Sequence, residues 1–144
     1  LCECNCGSSL TVTGVKLRDG RAYACTNCLS KSKYELMVFD YLKLNDYDFK
    51  REVTFPDLIG TNGGFLRYDF FVKINSKCYI IECHGGQHYK PVGFFGGVDY
   101  YEKLLNHDAI KRDYAKSNDY NYIEIDCRKM TNKKMKTILD DFLK

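Results

Sequence analysis

Two runs, Arg67-Tyr-Asp-Phe-Phe-Val-Lys-Ile74 and Cys78-Tyr-Ile-Ile-Glu-Cys-His84, with Asn75-Ser76 between them, decide how this chain folds. Both are rich in aromatic and β-branched residues, and a turn pair joins them, which is the pattern of a β-hairpin. Side chains two apart on a strand share a face, so Glu82 and His84 point together while Ile81 and Cys83 point the other way, Cys83 toward the core. On the partner strand Asp69 falls on the face opposite Tyr68, Phe70, Val72 and Ile74. A two-residue turn at Asn75-Ser76 sets Asp69 directly across from Glu82, whereas one more residue moves it to the Cys83 face. With the shorter turn Asp69, Glu82 and His84 gather at one edge. Adjacent carboxylates repel unless a proton or a cation separates them, and hard oxygen ligands suit Mg²⁺.

Upstream, Ser32-Lys-Tyr-Glu35 matches a capping box, and Leu36, Phe39 and Leu42 follow at helical spacing, so a helix is expected over 32–45. Arg51 to Phe55 reads as a short strand ended by Pro56, and Gly60 to Gly64 as a glycine-rich loop. Downstream, Gly85-Gly-Gln-His-Tyr89 opens a loop with Pro91, Gly93, Gly96 and Gly97, placed beside a ligand. A long helix over 99–117 sets Asp108 on one face with Tyr101, Leu104 and Ala115, where a charge is costly unless it is used, the alternative being a simple pair with Lys111 three residues on. A strand at Asn121 to Asp126 and a closing helix at Asn132 to Leu143, with Met135, Ile138, Leu139 and Phe142 apolar, complete the order. Helix, three strands, helix, strand, helix predicts an α/β core, a central mixed sheet flanked by helices.

With 144 residues the chain holds one such core and a small appendage, divided as 1–30 and 31–144; beginning at Leu1, it leaves a longer parent protein open. No apolar run approaches the roughly 20 residues of a membrane span, so a soluble protein with no membrane partner is expected. A net charge of +3 favours an anionic partner only weakly. The cysteines are uneven: five lie within the first 28 residues, and Cys78, Cys83 and Cys127 stand alone. Cys2, Cys4 and Cys6 alternate, and Cys25-Thr26-Asn27-Cys28 follows a strand-like stretch from Leu10 to Leu17 and a turn at Asp19-Gly20. Two close pairs across a hairpin supply four thiolates to a tetrahedral Zn²⁺, whose binding provides folding free energy that so short a segment lacks. Cys4, Cys6, Cys25 and Cys28 are the chosen ligands, Cys6 because Gly7 permits the tight turn behind it, with Cys2 as substitute. The alternative, a disulfide-stapled secreted segment, has no secretory feature beside it.

Asp69, twelve residues, then Glu82-Cys83-His84 is the layout of the PD-(D/E)XK nucleases, with histidine where lysine is usual. Leu66-Arg-Tyr-Asp-Phe70, Ile81-Glu-Cys-His-Gly-Gly-Gln-His-Tyr89 and His107-Asp-Ala-Ile-Lys111 together resemble phage homing endonucleases of the Glu-Asp-x-His-Asp type, which are similar to the very-short-patch mismatch-repair endonuclease. The cysteine module looks like the zinc knuckles fused ahead of such domains. The resemblance implies a restriction-endonuclease-like core, a cytoplasmic setting in a phage-infected, viral or bacterial host cell, and DNA as partner, and it leaves a homodimer open.

It further implies that Glu35, Asp69, His88 and Asp108 take the four named positions, although Glu35 completes a capping box in any case. In the implied reaction, hydrolysis of a phosphodiester bond, Mg²⁺ on Asp69 polarises the phosphoryl oxygen, His88 is general base or acid, and Asp108 orients His88 or a hydrated metal. Glu82 holds the metal or orients a ligand to it. Relatives of this type carry an acidic residue where this chain has His84, so His84 is a metal ligand, a phosphate contact, or the stand-in for the lysine. Lys111, Arg112, Arg128, Lys129, Lys133, Lys134 and Lys136 are candidates for phosphate contact or for a solvated face. Two rivals remain at this point: a repair endonuclease using the same site, and a non-cleaving zinc-dependent DNA-binding protein.

Overall fold

The computed structural model describes residues 2–3, 9–10, 32–93 and 97–144. The chain forms two compact units, Leu1–Leu36 and Met37–Lys144. In the first, β1 (Cys2–Glu3) pairs antiparallel with β2 (Ser9–Leu10), Cys2 opposite Leu10. The expected zinc ligands Cys4, Cys6, Cys25 and Cys28 lie outside the described residues. Helix α1 (Lys33–Leu44) starts in this unit, where the Glu35 backbone N–H donates to Ser32 Oγ at 3.2 Å, and continues into the second.

The second unit is built on a four-stranded mixed sheet in the order β3-β4-β5-β6. β3 (Asp48–Ile59), β4 (Phe65–Ile74) and β5 (Lys77–His84) run antiparallel, and β6 (Asn121–Asp126) lies parallel to β5. A parallel neighbour requires a crossover, and α2 (Gly97–Ser117) supplies it; α3 (Asn132–Phe142) closes the chain. The Thr131 hydroxyl caps α3 by accepting the Lys134 N–H. One face of the sheet buries Leu58, Tyr68, Phe71 and Ile80 against Ala115 of α2. On the other face Phe39 of α1 meets Phe49 edge-on and Phe142 of α3 meets Tyr79, while Tyr41 donates to Asp140 and ties α1 to α3. Each helical layer therefore has its own aromatic anchor in the sheet.

The hairpin has the shorter turn. Ile74 pairs with Lys77, leaving Asn75 and Ser76 as the turn, and Asn75 takes the left-handed φ of 53° that Asn tolerates. Two expectations are corrected. Pro56 does not end β3, which continues to Ile59; β3 is an edge strand, and Pro56 lies where its register with β4 shifts between Thr54 and Ile59, the kind of place in a sheet that tolerates proline. Tyr68 does not share a face with Phe70. Tyr68 and Phe71, three apart, both pack toward α2, whereas Phe70 lies by Phe49 and Arg51 on the α1 face. The alternation breaks at Asp69, opposite a Glu52 whose φ is 51°. Cys83, two residues on from Ile81 and so on its face of the strand, is half-buried.

Candidate active site

The polar residues that the hairpin register brings together sit where β5 ends, under α2. Glu82 and His84 share a face, as the alternation requires, and both are buried, at 3% and 4% exposure. Carrying the register of Phe70 and Ile81 one step further sets Asp69 opposite Glu82. There Asp69 turns into the sheet, and its Oδ2 accepts the Cys83 backbone N–H at 2.8 Å. The Cys127 N–H donates to the His84 carbonyl, so β6 clamps the end of β5.

Beyond β5, a single 3₁₀ turn at Gly86–His88 folds the chain back on itself. The His88 ring stacks on His84 with centroids 3.9 Å apart and planes 11° from parallel. His88 Nδ1 lies 2.8 Å from Asp108 Oδ2. A carboxylate only accepts, so Nδ1 carries the proton and Nε2 is the basic nitrogen when the ring is neutral. Burial pushes the Asp108 carboxyl up, but the His88 hydrogen bond and the nearby histidines and Lys111 outweigh it, and Asp108 ends below its ordinary value. His84 Nε2 faces the other carboxylate oxygen at 3.9 Å and, among the described residues, has no hydrogen-bond partner. Burial, then the facing His88, lower His84 to about 4 despite Asp108, so it is a neutral imidazole at pH 7.

One helical turn beyond Asp108, Lys111 does not pair with it. Its Nζ lies 2.7 Å from Glu82 Oε1, and the Tyr68 hydroxyl donates to the Lys111 carbonyl at 2.6 Å, which holds α2 in register over the sheet. Asp108 meets the histidines instead, one at the end of β5 and one in the turn after it. Burial raises the Glu82 carboxyl to about 8; Lys111 pulls against that shift and the Asp69 charge adds to it.

The site opens to a cleft of about 350 Å³ whose lining includes Arg67, His88, His107, Asp108 and Lys111. Arg67 and His107 were not among the residues singled out in the sequence. His107 Nε2 is 3.1 Å from Thr61 Oγ1, and a Cβ at Gly60 would come within 2.9 Å of that same nitrogen, so the glycine turn is what admits the ring. The sequence signal is Gly60-Thr61, but only the fold puts it against His107.

Of the basic candidates, Arg112 is held by Glu124, Arg128 by Asp126 and the Tyr89 ring, and Lys136 by Asp140. Lys129 and Lys134 line a separate cleft with Arg128, and Lys133 is exposed. Glu35 belongs to the first unit. His84, His88 and Asp108 each offer a ligand atom within 4.8 Å of the others, a group able to hold a metal ion.

No helix among the described residues is long and apolar enough to cross a membrane. No family model matches the chain, and neither does any curated protein. Among solved structures, a crystal structure of a protein of unknown function, AF1548, aligns at 18% identity over 63% of this chain and 57% of that one, with a TM-score of 0.30. That likeness carries no argument about function, and the chemistry has to be read from the side chains at the end of β5.

Proposed function

We propose that this chain is a metal-dependent endonuclease of the PD-(D/E)XK kind that hydrolyses phosphodiester bonds in DNA. The observation that carries the reading is the convergence of Asp69, the Glu82–Lys111 pair and the His88–Asp108 pair on one strand end beside an open cleft. The donor set fits a divalent cation: a carboxyl raised to about 8 partly by a neighbouring carboxylate is the situation that such a cation relieves. Asp69 would hold Mg²⁺, with Glu82 as a second ligand or as the group that orients one. When bound, the ion supplies positive charge to the phosphoryl group and acidifies water.

The rest falls to the chain itself. His88, held by Asp108 with Nε2 toward the cleft, takes a proton from the attacking water. Lys111 stands where it can offer its charge to a phosphate oxygen, the part that the motif elsewhere gives to a lysine two residues after the acid. His84 is neutral at pH 7 and is not that cation. Glu35, the homing role and the cytoplasmic setting belong to the same proposal and rest on the sequence resemblance, and Zn²⁺ on Cys4, Cys6, Cys25 and Cys28 rests on the cysteine spacing.

The deciding experiment incubates purified protein with supercoiled and linear DNA, with Mg²⁺ and with excess chelator, and maps the ends produced. Cleavage that needs the ion and is lost in both Asp69→Asn and His88→Ala supports the reading. Binding without cleavage under every condition would replace it with a non-cleaving DNA-binding protein.

A further inference from the structure

From the geometry we infer that His84, His88 and Asp108 form a second metal position, distinct from the one assigned to Asp69. It would take a borderline transition ion, Zn²⁺ above all, and its occupation shuts the nuclease off. The shut-off rests on the function proposed above; the metal position does not.

Two independent observations point to this ligand. The three groups already place their donor atoms within 4.8 Å of one another. Separately, the His84 side chain is only 5% exposed, yet its Nε2 has no hydrogen-bond partner among the described residues and faces Asp108 Oδ1 at 3.9 Å. A buried ring nitrogen left unpaired costs about 1–3 kcal/mol, and a cation accepting its lone pair would remove that cost.

Distances and donor types choose the ion. A tetrahedral ion with bonds of about 2.1 Å spaces its ligand atoms about 3.4 Å apart. His84 Nε2 to Asp108 Oδ1 at 3.9 Å is slightly longer than this, and His88 Nδ1 to Asp108 Oδ2 at 2.8 Å is slightly shorter. The two contacts are to different oxygens of Asp108 and the rings lie nearly parallel, so building the site takes a turn of one ring out of the stack that aims both nitrogens at one ion beside the carboxylate. Two imidazoles and one carboxylate suit Zn²⁺ or its neighbours, whereas Mg²⁺ prefers oxygen ligands and water.

The opening contact is the His88–Asp108 hydrogen bond, and for Nδ1 to bind the ion its proton must pass through solvent to Nε2, so that the neutral ring becomes the Nε2–H tautomer. The ion then sits where that proton orients His88. Nε2 then carries the ring's proton and has no lone pair with which to take one from water, so proton transfer fails. Zn²⁺ should thus inhibit without competing for the Mg²⁺ position.

Equilibrium dialysis of zinc against the full chain tests the metal position without any cleavage assay. The wild type should bind one equivalent more than His84→Gln or Asp108→Asn, each checked for folding by circular dichroism, while Asp69→Asn keeps the wild-type count. Cobalt(II) bound there should show the visible bands of a four-coordinate ion with no added sulfur charge-transfer absorption, which separates it from the cysteines and gives a wild-type readout if a variant misfolds. Equal zinc counts in wild type and both variants, loss of the equivalent in Asp69→Asn, or a purely sulfur-type cobalt spectrum would each overturn the site. In the cleavage assay, Zn²⁺ should slow the wild type by about 10²-fold, as expected when a general base is taken, with no relief from added Mg²⁺. Relief by Mg²⁺ would overturn the second position as the cause of inhibition, whereas absence of cleavage altogether would strike the nuclease reading and leave the dialysis result standing.

Discussion

The β4–β5 hairpin has two ends that obey different rules. At the turn, Val72 faces Tyr79 and Phe71 faces Ile80, the residues are apolar and buried, and the pairing is regular up to Ile74 and Lys77. At the open end the same two strands bury Glu82 and His84, the alternation breaks at Asp69, and a carboxylate takes a backbone N–H. Burying ionisable groups costs several kcal/mol each unless they are paired, so the open end spends stability that the turn end does not. A protein tolerates that arrangement where the groups are used, and the difference between the ends is the physical reason for placing chemistry at one of them.

Removing the groups at the open end tests this contrast most severely. Asp69→Ala should abolish metal-dependent cleavage and magnesium binding together, measured by end mapping and by calorimetric titration. His88→Ala should retain magnesium but slow cleavage by about 10²- to 10⁴-fold. Near-normal rates in His88→Ala would move the base elsewhere and leave its stacking on His84 without a chemical meaning.

Stability should respond next. Lys111→Met leaves Glu82 buried without its cation, which costs about 3–5 kcal/mol when the carboxylate is charged. Because Glu82 is raised to about 8 with Lys111 present, the loss should be larger at pH 9 than at pH 6, where the acid takes up a proton instead. Denaturant unfolding of Lys111→Met, Glu82→Gln and the double variant would show it; the double variant should be more stable than Lys111→Met alone. Equal losses at both pH values would mean that the pair is not the dominant charge contact.

His84 gives a smaller effect with the opposite sign. Its folded value is depressed from an ordinary 6.5 to about 4, so its contribution to stability is fully present above pH 6.5 and is lost as pH falls through 4. His84→Gln should flatten the acid limb of the stability curve over that window. An unchanged limb would assign the acid sensitivity to other groups. Smallest of all should be the turn end: Asn75→Ala, at a left-handed φ of 53°, should cost about 1 kcal/mol of stability and leave cleavage rates alone. A marked loss of activity there would erase the distinction between the two ends.

Much of this contrast was legible in the residues. Alternation in Cys78 to His84 put Glu82 and His84 on one face, and Asn75-Ser76 is short enough to set the register that brings Asp69 opposite Glu82. Helical spacing set Asp108 and Ala115 on the buried side of α2. Pro56 misled because proline breaks a ladder only where its N–H is needed, and whether a strand lies at an edge is a property of the whole sheet. Tyr68 misled because strict alternation assumes an unbroken strand, and the break at Asp69 arises between two strands.

Local order thus determined which side chains share a face, because strand and helix periods are set by backbone geometry that each segment carries with it. Partners across elements were another matter. Lys111 lies three residues from Asp108, a spacing that allows the two to pair, yet it reaches Glu82, while Asp108 takes His88 and faces His84. That choice depends on how far α2 slides along β5, a distance set by Tyr68 and the aromatic packing beneath it rather than by spacing within α2. Charge pairing acts over a few ångströms, and only the tertiary structure decides which groups come that close.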